Sequence, residues 1–278
     1  MIRFSFYSKA DNTKLLGYET GNKDGLPIIF IHGFAQSYWC WGKQLSNPDL
    51  SKYRIITFDL RGHGRSEKPI TKCSYLNSKI WAADISSLIE ELKLVKPVIV
   101  AWSYSGLIVC DYLRHNGDNN IAGINFVGAR TKTGTQDAKK MSGSLFLELA
   151  PEFCSNDTSQ RQAAVSKFLE NLTASTIKDP DFYTMLGYNL SVPIKVCEAL
   201  LERSVDNDTI ISKIEIPTHI THGDRDTSVL VSMAHHNHAQ IPNSSLSIFN
   251  GVGHAPFYED PVRFNRELIT FVDHCHHS

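Results

Sequence analysis

Residues 97–106 read PVIVAWSYSG and carry the serine best placed to act as a nucleophile. Val98-Ile99-Val100 is a run of β-branched residues, the composition of a strand buried on both faces. Beyond a short turn, Leu107, Ile108, Tyr112 and Leu113 recur at helical spacing. A buried strand that turns at once into a helix leaves one residue exposed at the tip, in a strained backbone conformation. That residue is Ser103. The following helix begins with free N–H groups and the positive end of its dipole, which suits a site where an oxyanion forms. A serine hydroxyl is a poor nucleophile at neutral pH, so it needs a base, and the base needs an orienting partner.

Two later stretches hold groups of the required kind. Thr218-His219-Ile220-Thr221 reads as a strand and runs into His222-Gly223-Asp224-Arg225-Asp226, with two carboxylates. Ser245–Phe249 reads as another strand and leads into Asn250-Gly251-Val252-Gly253-His254. The chain has twelve histidines, so position must decide among them. His235, His236 and His238 crowd one helical segment and read as a solvated face, and His274, His276 and His277 fall at a C-terminus expected to fray. Neither group is completed by carboxylates or cysteines at ligand spacing, so no metal site is expected.

The elements that must hold these groups follow from periodicity. Residues 2–8 and 14–20 read as an entry hairpin, and Pro27–Ile31 and Tyr53–Phe58 as strands. Residues 80–94 form a helical stripe through Ile85, Leu88, Ile89 and Leu92, and Ile121–Val127 is a strand after the serine's helix. This alternation indicates a mostly parallel sheet with helices on both faces. From Thr131 to about Lys213 it stops, giving way to short helix-like pieces, and it resumes at Thr218 before a closing helix from Pro261. Residues 131–213 are therefore expected to be an all-helical cap, with 1–130 and 214–278 as the core domain. Such an insertion would lie over the carboxyl edge of the sheet, where open α/β sheets bind ligands.

Composition narrows the class. The chain has 278 residues, 42% hydrophobic and 21% charged, with a net charge of −1, so no global field draws nucleic acid or an anionic membrane. The N-terminal stretch lacks the apolar core of a signal peptide, and the six cysteines are scattered without metal spacing. A cytoplasmic, reduced protein without nucleic-acid or membrane partners is the expectation.

Ala101-Trp102-Ser103-Tyr104-Ser105 resembles the nucleophile elbow of the α/β-hydrolase family, usually written G-x-S-x-G. Ala101 and Ser105 stand where the family has glycines, and small size is the requirement where strand and helix nearly touch. In that family the order is serine, acid, histidine, each at the end of a later strand. Gly223-Asp224-Arg225-Asp226-Thr227-Ser228-Val229 is similar to its G-x-x-D-x-x-V loop, which implies Asp226 as the acid, with Asp224 as competitor. Gly251-Val252-Gly253-His254 looks like the family's G-G-H loop and implies His254 as general base. The resemblance of His32-Gly33-Phe34 to the H-G-x loop implies an oxyanion hole made by the backbone N–H groups of Phe34 and Tyr104. His32 and the turn Arg61–Ser66 are read as fold-shaping rather than chemical.

Members that open epoxides or displace halides place aspartate at the elbow, so serine at 103 implies acyl transfer. The expected activity is hydrolysis of carboxylic esters of small to medium apolar substrates through an acyl-Ser103 intermediate, with no cofactor. The sequence between Ile31 and Ser66 resembles cofactor-free perhydrolases, or non-haem haloperoxidases, about equally well. A receptor that keeps a slow triad is the reading from a different class. Nine apolar cap residues, Phe146, Leu149, Phe153, Phe168, Leu172, Phe182, Tyr183, Met185 and Leu186, are available to build the cap's own core and any pocket. Arg130 stands at a strand end near the site, where it could meet a carboxylate or form a surface ion pair.

Overall fold

The computed structural model describes residues 1–277, with the His277 side chain outside the description. Eight strands form the main sheet: β1 Ile2–Tyr7, β2 Lys14–Gly21, β3 Pro27–Ile31, β4 Arg54–Asp59, β5 Val98–Trp102, β6 Gly123–Val127, and, further on, β9 Thr218–Gly223 and β10 Ser244–Phe249. Their spatial order is β1-β2-β4-β3-β5-β6-β9-β10. β1, β2 and β4 pair antiparallel, and every other pair in the sheet is parallel. All residues of β3, β5 and β6 are buried; β3 and β5 are apolar throughout, and in β6 the buried Asn125 accepts a hydrogen bond from Thr221 Oγ1 at 3.1 Å. The helices Ser78–Glu91 and Ser105–Asn116 pack against each other, and the closing helix Pro261–His277 packs against Gly42–Leu45. This is the α/β-hydrolase architecture, with the carboxyl ends of β3, β5, β6, β9 and β10 along one edge. The C-terminus departs from the expected frayed end, because His274 and His276 stand on that closing helix.

The turn after β4 is fixed by charge. Arg61 is fully buried and donates from Nε and Nη2 to Asp84 at 2.7 Å each, and from Nη1 to Asp11 at 2.7 Å. The same turn presents His63, whose Nε2 accepts the Ala35 N–H at 3.2 Å, while His32 Nε2 accepts the Leu60 N–H at 3.0 Å. Burial pushes both imidazoles down, His32 to about 4 and His63 to about 3, so both are neutral acceptors at pH 7. The turn therefore braces the segment after β3.

The expectation of an all-helical insertion over residues 131–213 is corrected, because two short strands lie within it. β7 Lys132–Thr133 pairs antiparallel with β8 Val205–Asp206, so the two ends of the insertion are tied together. Lys132 Nζ donates across this ribbon to Asp206 at 3.1 Å and to Asp208 at 2.7 Å. Between the two strands lie Gln136–Lys140, Ser144–Leu149, Thr158–Glu170, Asp181–Leu190 and Ile194–Glu202 as helices. Their buried side chains join the apolar core of the sheet without a break.

The insertion also clamps the loops after β9 and β10. The His254 N–H donates to the Leu172 carbonyl at 2.8 Å, and Thr227 Oγ1 donates to the Asn171 carbonyl at 2.9 Å. Glu259 accepts from the N–H groups of Gly253 at 2.7 Å, Ala174 at 2.9 Å and Ser175 at 3.1 Å. Gly253 leaves no room for a side chain, since a Cβ there would sit 2.7 Å from Ala174 N and 2.8 Å from Thr173 Cα. Gly253→Ala is expected to lower stability by about 1–3 kcal/mol, read as a shifted denaturant midpoint. Gly187→Ala is the control: a Cβ there meets nothing within 4 Å, and alanine in the helix Asp181–Leu190 stabilises by up to about 1 kcal/mol. Equal midpoints for the two variants would contradict the clamp.

Candidate active site

Ser103 ends β5 with φ +57°, a conformation that a non-glycine residue adopts only when its surroundings enforce it. Its N–H donates to the Val127 carbonyl at 2.9 Å, and its carbonyl accepts from Arg130 N–H at 2.9 Å and Gly106 N–H at 3.0 Å. The substituted elbow position is used rather than merely tolerated: Ser105 Oγ donates to the carbonyls of Ile31 at 3.0 Å and Trp102 at 2.9 Å. Gly33 passes so close that a Cβ would lie 3.0 Å from Ser103 Cβ. The expectation of an exposed tip is corrected, because Ser103 is 8% exposed. Side chains of the insertion reach over it.

Three of the residues singled out from sequence meet here. His254 Nε2 lies 2.8 Å from Ser103 Oγ, and His254 Nδ1 lies 2.6 Å from Asp226 Oδ2. An ionised carboxylate only accepts, so Nδ1–H donates to Asp226 and Nε2 is left to accept the Ser103 hydroxyl proton. Trp102 Nε1 donates to the His254 carbonyl at 2.9 Å and holds the loop from below.

Asp226 is buried, which alone would raise its carboxyl. Its electrostatic interaction with His254 and the hydrogen bonds from His222 and His254 instead hold it well below the usual carboxylate range. Oδ1 accepts the N–H groups of Ser228 at 2.8 Å and Val229 at 2.9 Å. Oδ2 also lies 3.1 Å from His222 Nε2, which is 2.8 Å from the Val229 carbonyl. Asp224 is elsewhere: it is exposed, and its Oδ1 accepts the Gly251 N–H at 2.6 Å, a loop brace.

The amides of Phe34 and Tyr104 both border the cavity at Ser103, and among the described residues neither has a protein acceptor. Phe34 follows β3 and Tyr104 follows β5, so the two residues stand beyond the ends of neighbouring strands. Tyr104 OH donates to the Leu200 carbonyl at 3.1 Å and ties the elbow to the insertion.

The cavity has a volume of about 30 Å³, and Phe34, Phe146, Phe168, Leu200 and Leu201 form its apolar wall. Of the nine cap residues considered from sequence, only Phe146 and Phe168 border it; Tyr183 is 64% exposed and Phe182 packs away from it. A larger pocket of about 460 Å³ adjoins it and shares Arg130, Thr133, Phe146 and Leu201. Arg130 forms no surface ion pair; it is buried against the cavity, and burial pushes its guanidinium down only to about 10, so it stays charged at pH 7.

His222, Gln36 and the bracing His63 were not singled out as site residues from sequence. His222 carried a legible signal, since it precedes Gly223 on a strand that ends at the acid loop. Gln36 carried none beyond standing two residues after Phe34. Two histidines of the segment read as a solvated face have polar partners: His236 Nε2 lies 2.9 Å from Asp208 Oδ1, and His238 Nδ1 lies 2.9 Å from Ser244 Oγ. No helix among the described residues is long and apolar enough to cross a membrane.

Comparison with known proteins places this geometry in a family. Residues 27–261 match the family model for the alpha/beta hydrolase fold. The chain is 26% identical to the non-heme chloroperoxidase CPO-A1 of Kitasatospora aureofaciens over 92% of its length and 97% of the relative's. Among solved structures it is similar to the esterase RhEst1 from Rhodococcus sp. ECU1013, with 34% identity, a TM-score of 0.91 and coverage of 98% of this chain and 99% of that one. The esterase EaEST from Exiguobacterium antarcticum gives 25% identity, a TM-score of 0.86 and coverage of 97% and 99%. With residues 27–261 matched, most of its length, the chain belongs to the α/β-hydrolase fold family.

Proposed function

We propose that the protein is a serine carboxylic-ester hydrolase working through an acyl-Ser103 intermediate. The observation that carries this reading is the continuous chain from Ser103 Oγ to His254 at 2.8 Å and from His254 to Asp226 at 2.6 Å. His254 takes the Ser103 proton as Oγ attacks the ester carbon. Asp226 keeps the imidazole in the required tautomer and stabilises the imidazolium. The Phe34 and Tyr104 amides receive the oxyanion, and the imidazolium returns its proton to the departing alcohol. Water, deprotonated by His254, then cleaves the acyl ester and restores Ser103. No step calls for a cofactor. The esterase names of RhEst1 and EaEST support this reading.

Residues 131–213 act as the cap in this scheme. A cavity of about 30 Å³ holds roughly two water molecules, so an ester enters when the insertion side chains Phe146, Phe168, Leu200 and Leu201 shift toward the adjoining pocket. The cap also helps position the base, since its Leu172 carbonyl holds the His254 loop.

The chloroperoxidase relative favours a second reading on the same residues, in which hydrogen peroxide replaces water as acyl acceptor and the product is a peracid.

Steady-state turnover of short nitrophenyl esters tests the assignment. Ser103→Ala is expected to cost on the order of a million-fold in kcat. Asp226→Asn is expected to cost roughly 10⁴-fold, with Asp224→Asn acting mainly on stability. Activity retained in Ser103→Ala, or a larger rate loss in Asp224→Asn, would contradict the scheme. An active-site fold with no turnover at all would favour the silent receptor. Adding peroxide to the same assay decides the acceptor: peracid formed faster than acid supports the second reading, and acid alone supports hydrolysis.

A further inference from the structure

Arg130 is the group in this cavity that plain ester hydrolysis does not use. It is 6% exposed and borders the cavity together with Ser103 and His254. Two other arginines are as deeply buried, and each holds a carboxylate: Arg61 pairs with Asp84 and Asp11, and Arg203 Nη2 lies 2.6 Å from Asp111 Oδ2. Arg130 holds none. Its Nη1 donates to Ser142 Oγ at 2.6 Å and its Nη2 to the Ser228 carbonyl at 2.7 Å. A guanidinium carries five N–H groups, so three find no acceptor among the described residues. Buried charges are normally paired, which makes this one an exception that needs a partner.

Asp226 is near enough for its charge to favour the Arg130 cation, but it makes no hydrogen bond to the guanidinium. Its oxygens are taken by His254, His222 and the amides of Ser228 and Val229. The Arg130 guanidinium stacks over the Phe146 ring at 4.8 Å, and its unused N–H groups are of the kind that bind carboxylates. Across the site, Gln36 is 1% exposed and borders the same cavity, and neither end of its side-chain amide has a partner. Because β3 and β6 flank β5, Gln36 comes in from one side of Ser103 and Arg130 from the other.

Resting on the ester-hydrolase reading, we propose that the preferred substrate is the half-ester of a short dicarboxylic acid. Arg130 is the specificity-determining residue that binds the free carboxylate, and Gln36 is a second hydrogen-bonding contact. The acyl chain is short because the cavity at Ser103 is small. Ser103 Oγ bonds to the ester carbon, methanol leaves with the proton from His254, and water releases the dicarboxylate. This differs from the apolar substrate expected from composition of the cap.

The test compares monomethyl and dimethyl glutarate by methanol release from the whole protein. The wild type is expected to favour the half-ester in kcat/KM by about 10- to 100-fold, the worth of a charge-assisted contact. Arg130→Gln is expected to bring that ratio to one or below, chiefly through KM, and Arg130→Lys to restore part of it. A wild-type preference for the diester overturns the inference. So does an Arg130→Gln variant that slows both esters equally, since that is what a staple between Ser142 and Ser228 would do. If the variants fail to fold, inhibition of wild-type dimethyl glutarate hydrolysis decides: free glutarate should compete far better than glutaramide, and equal inhibition overturns the proposal. Turnover of nitrophenyl esters with neither glutarate ester cleaved also overturns it. Loss of nitrophenyl turnover as well would instead sink the hydrolase reading beneath it.

Discussion

The conformation of one residue, Ser103 at φ +57°, sets the terms for everything around it. Such a backbone costs roughly 1–3 kcal/mol and survives only where neighbours over-determine it. Here the Val127 carbonyl, the Arg130 amide and the Gly106 amide grip its main chain, and Ser105 ties the first turn of the helix to β3 and β5. The effect is to turn Oγ away from the sheet and toward the loops after β9 and β10. The strand order then does the rest, because the acid and the histidine leave the ends of adjacent parallel strands.

Electrostatics around that serine are organised in two layers. The inner layer is Asp226, fully committed to two histidines and two amides, a carboxylate whose charge is satisfied before any substrate arrives. The outer layer is made of neutral, buried imidazoles: His32 and His63 accept backbone N–H groups and hold the segment carrying Phe34. Burial keeps them uncharged, so these two imidazoles add no cation to the one that Arg130 already brings to the cavity. Arg130 stands apart from both layers as a charge with unspent hydrogen-bonding capacity.

Much of this was legible in sequence, for physical reasons that differ by residue. Strand β5 announced itself through an unbroken run of β-branched residues, and the abrupt change to helical spacing located Ser103. The acid and histidine loops were readable because each follows a short apolar strand, and the family order chose among twelve histidines. Burial was not readable: the covering of Ser103, the clamp of the insertion on the His254 loop and the lack of a carboxylate hydrogen-bonded to Arg130 all depend on contacts between residues far apart in the chain. Leu172 and His254 are bonded through backbone atoms, which no side-chain pattern reports. The ribbon of β7 and β8 was missed because two-residue strands carry no periodicity at all.

The central claim is that Ser103 carries the acyl group. Rapid acid quenching of the enzyme during turnover of a nitrophenyl ester, followed by peptide mass spectrometry, tests it directly. The account predicts an acyl mass on the peptide containing Ser103 that forms in the burst and is absent from Ser103→Ala. An acyl group found on a different residue, or steady turnover with no adduct at any time point and none of it lost on substitution, would contradict the account.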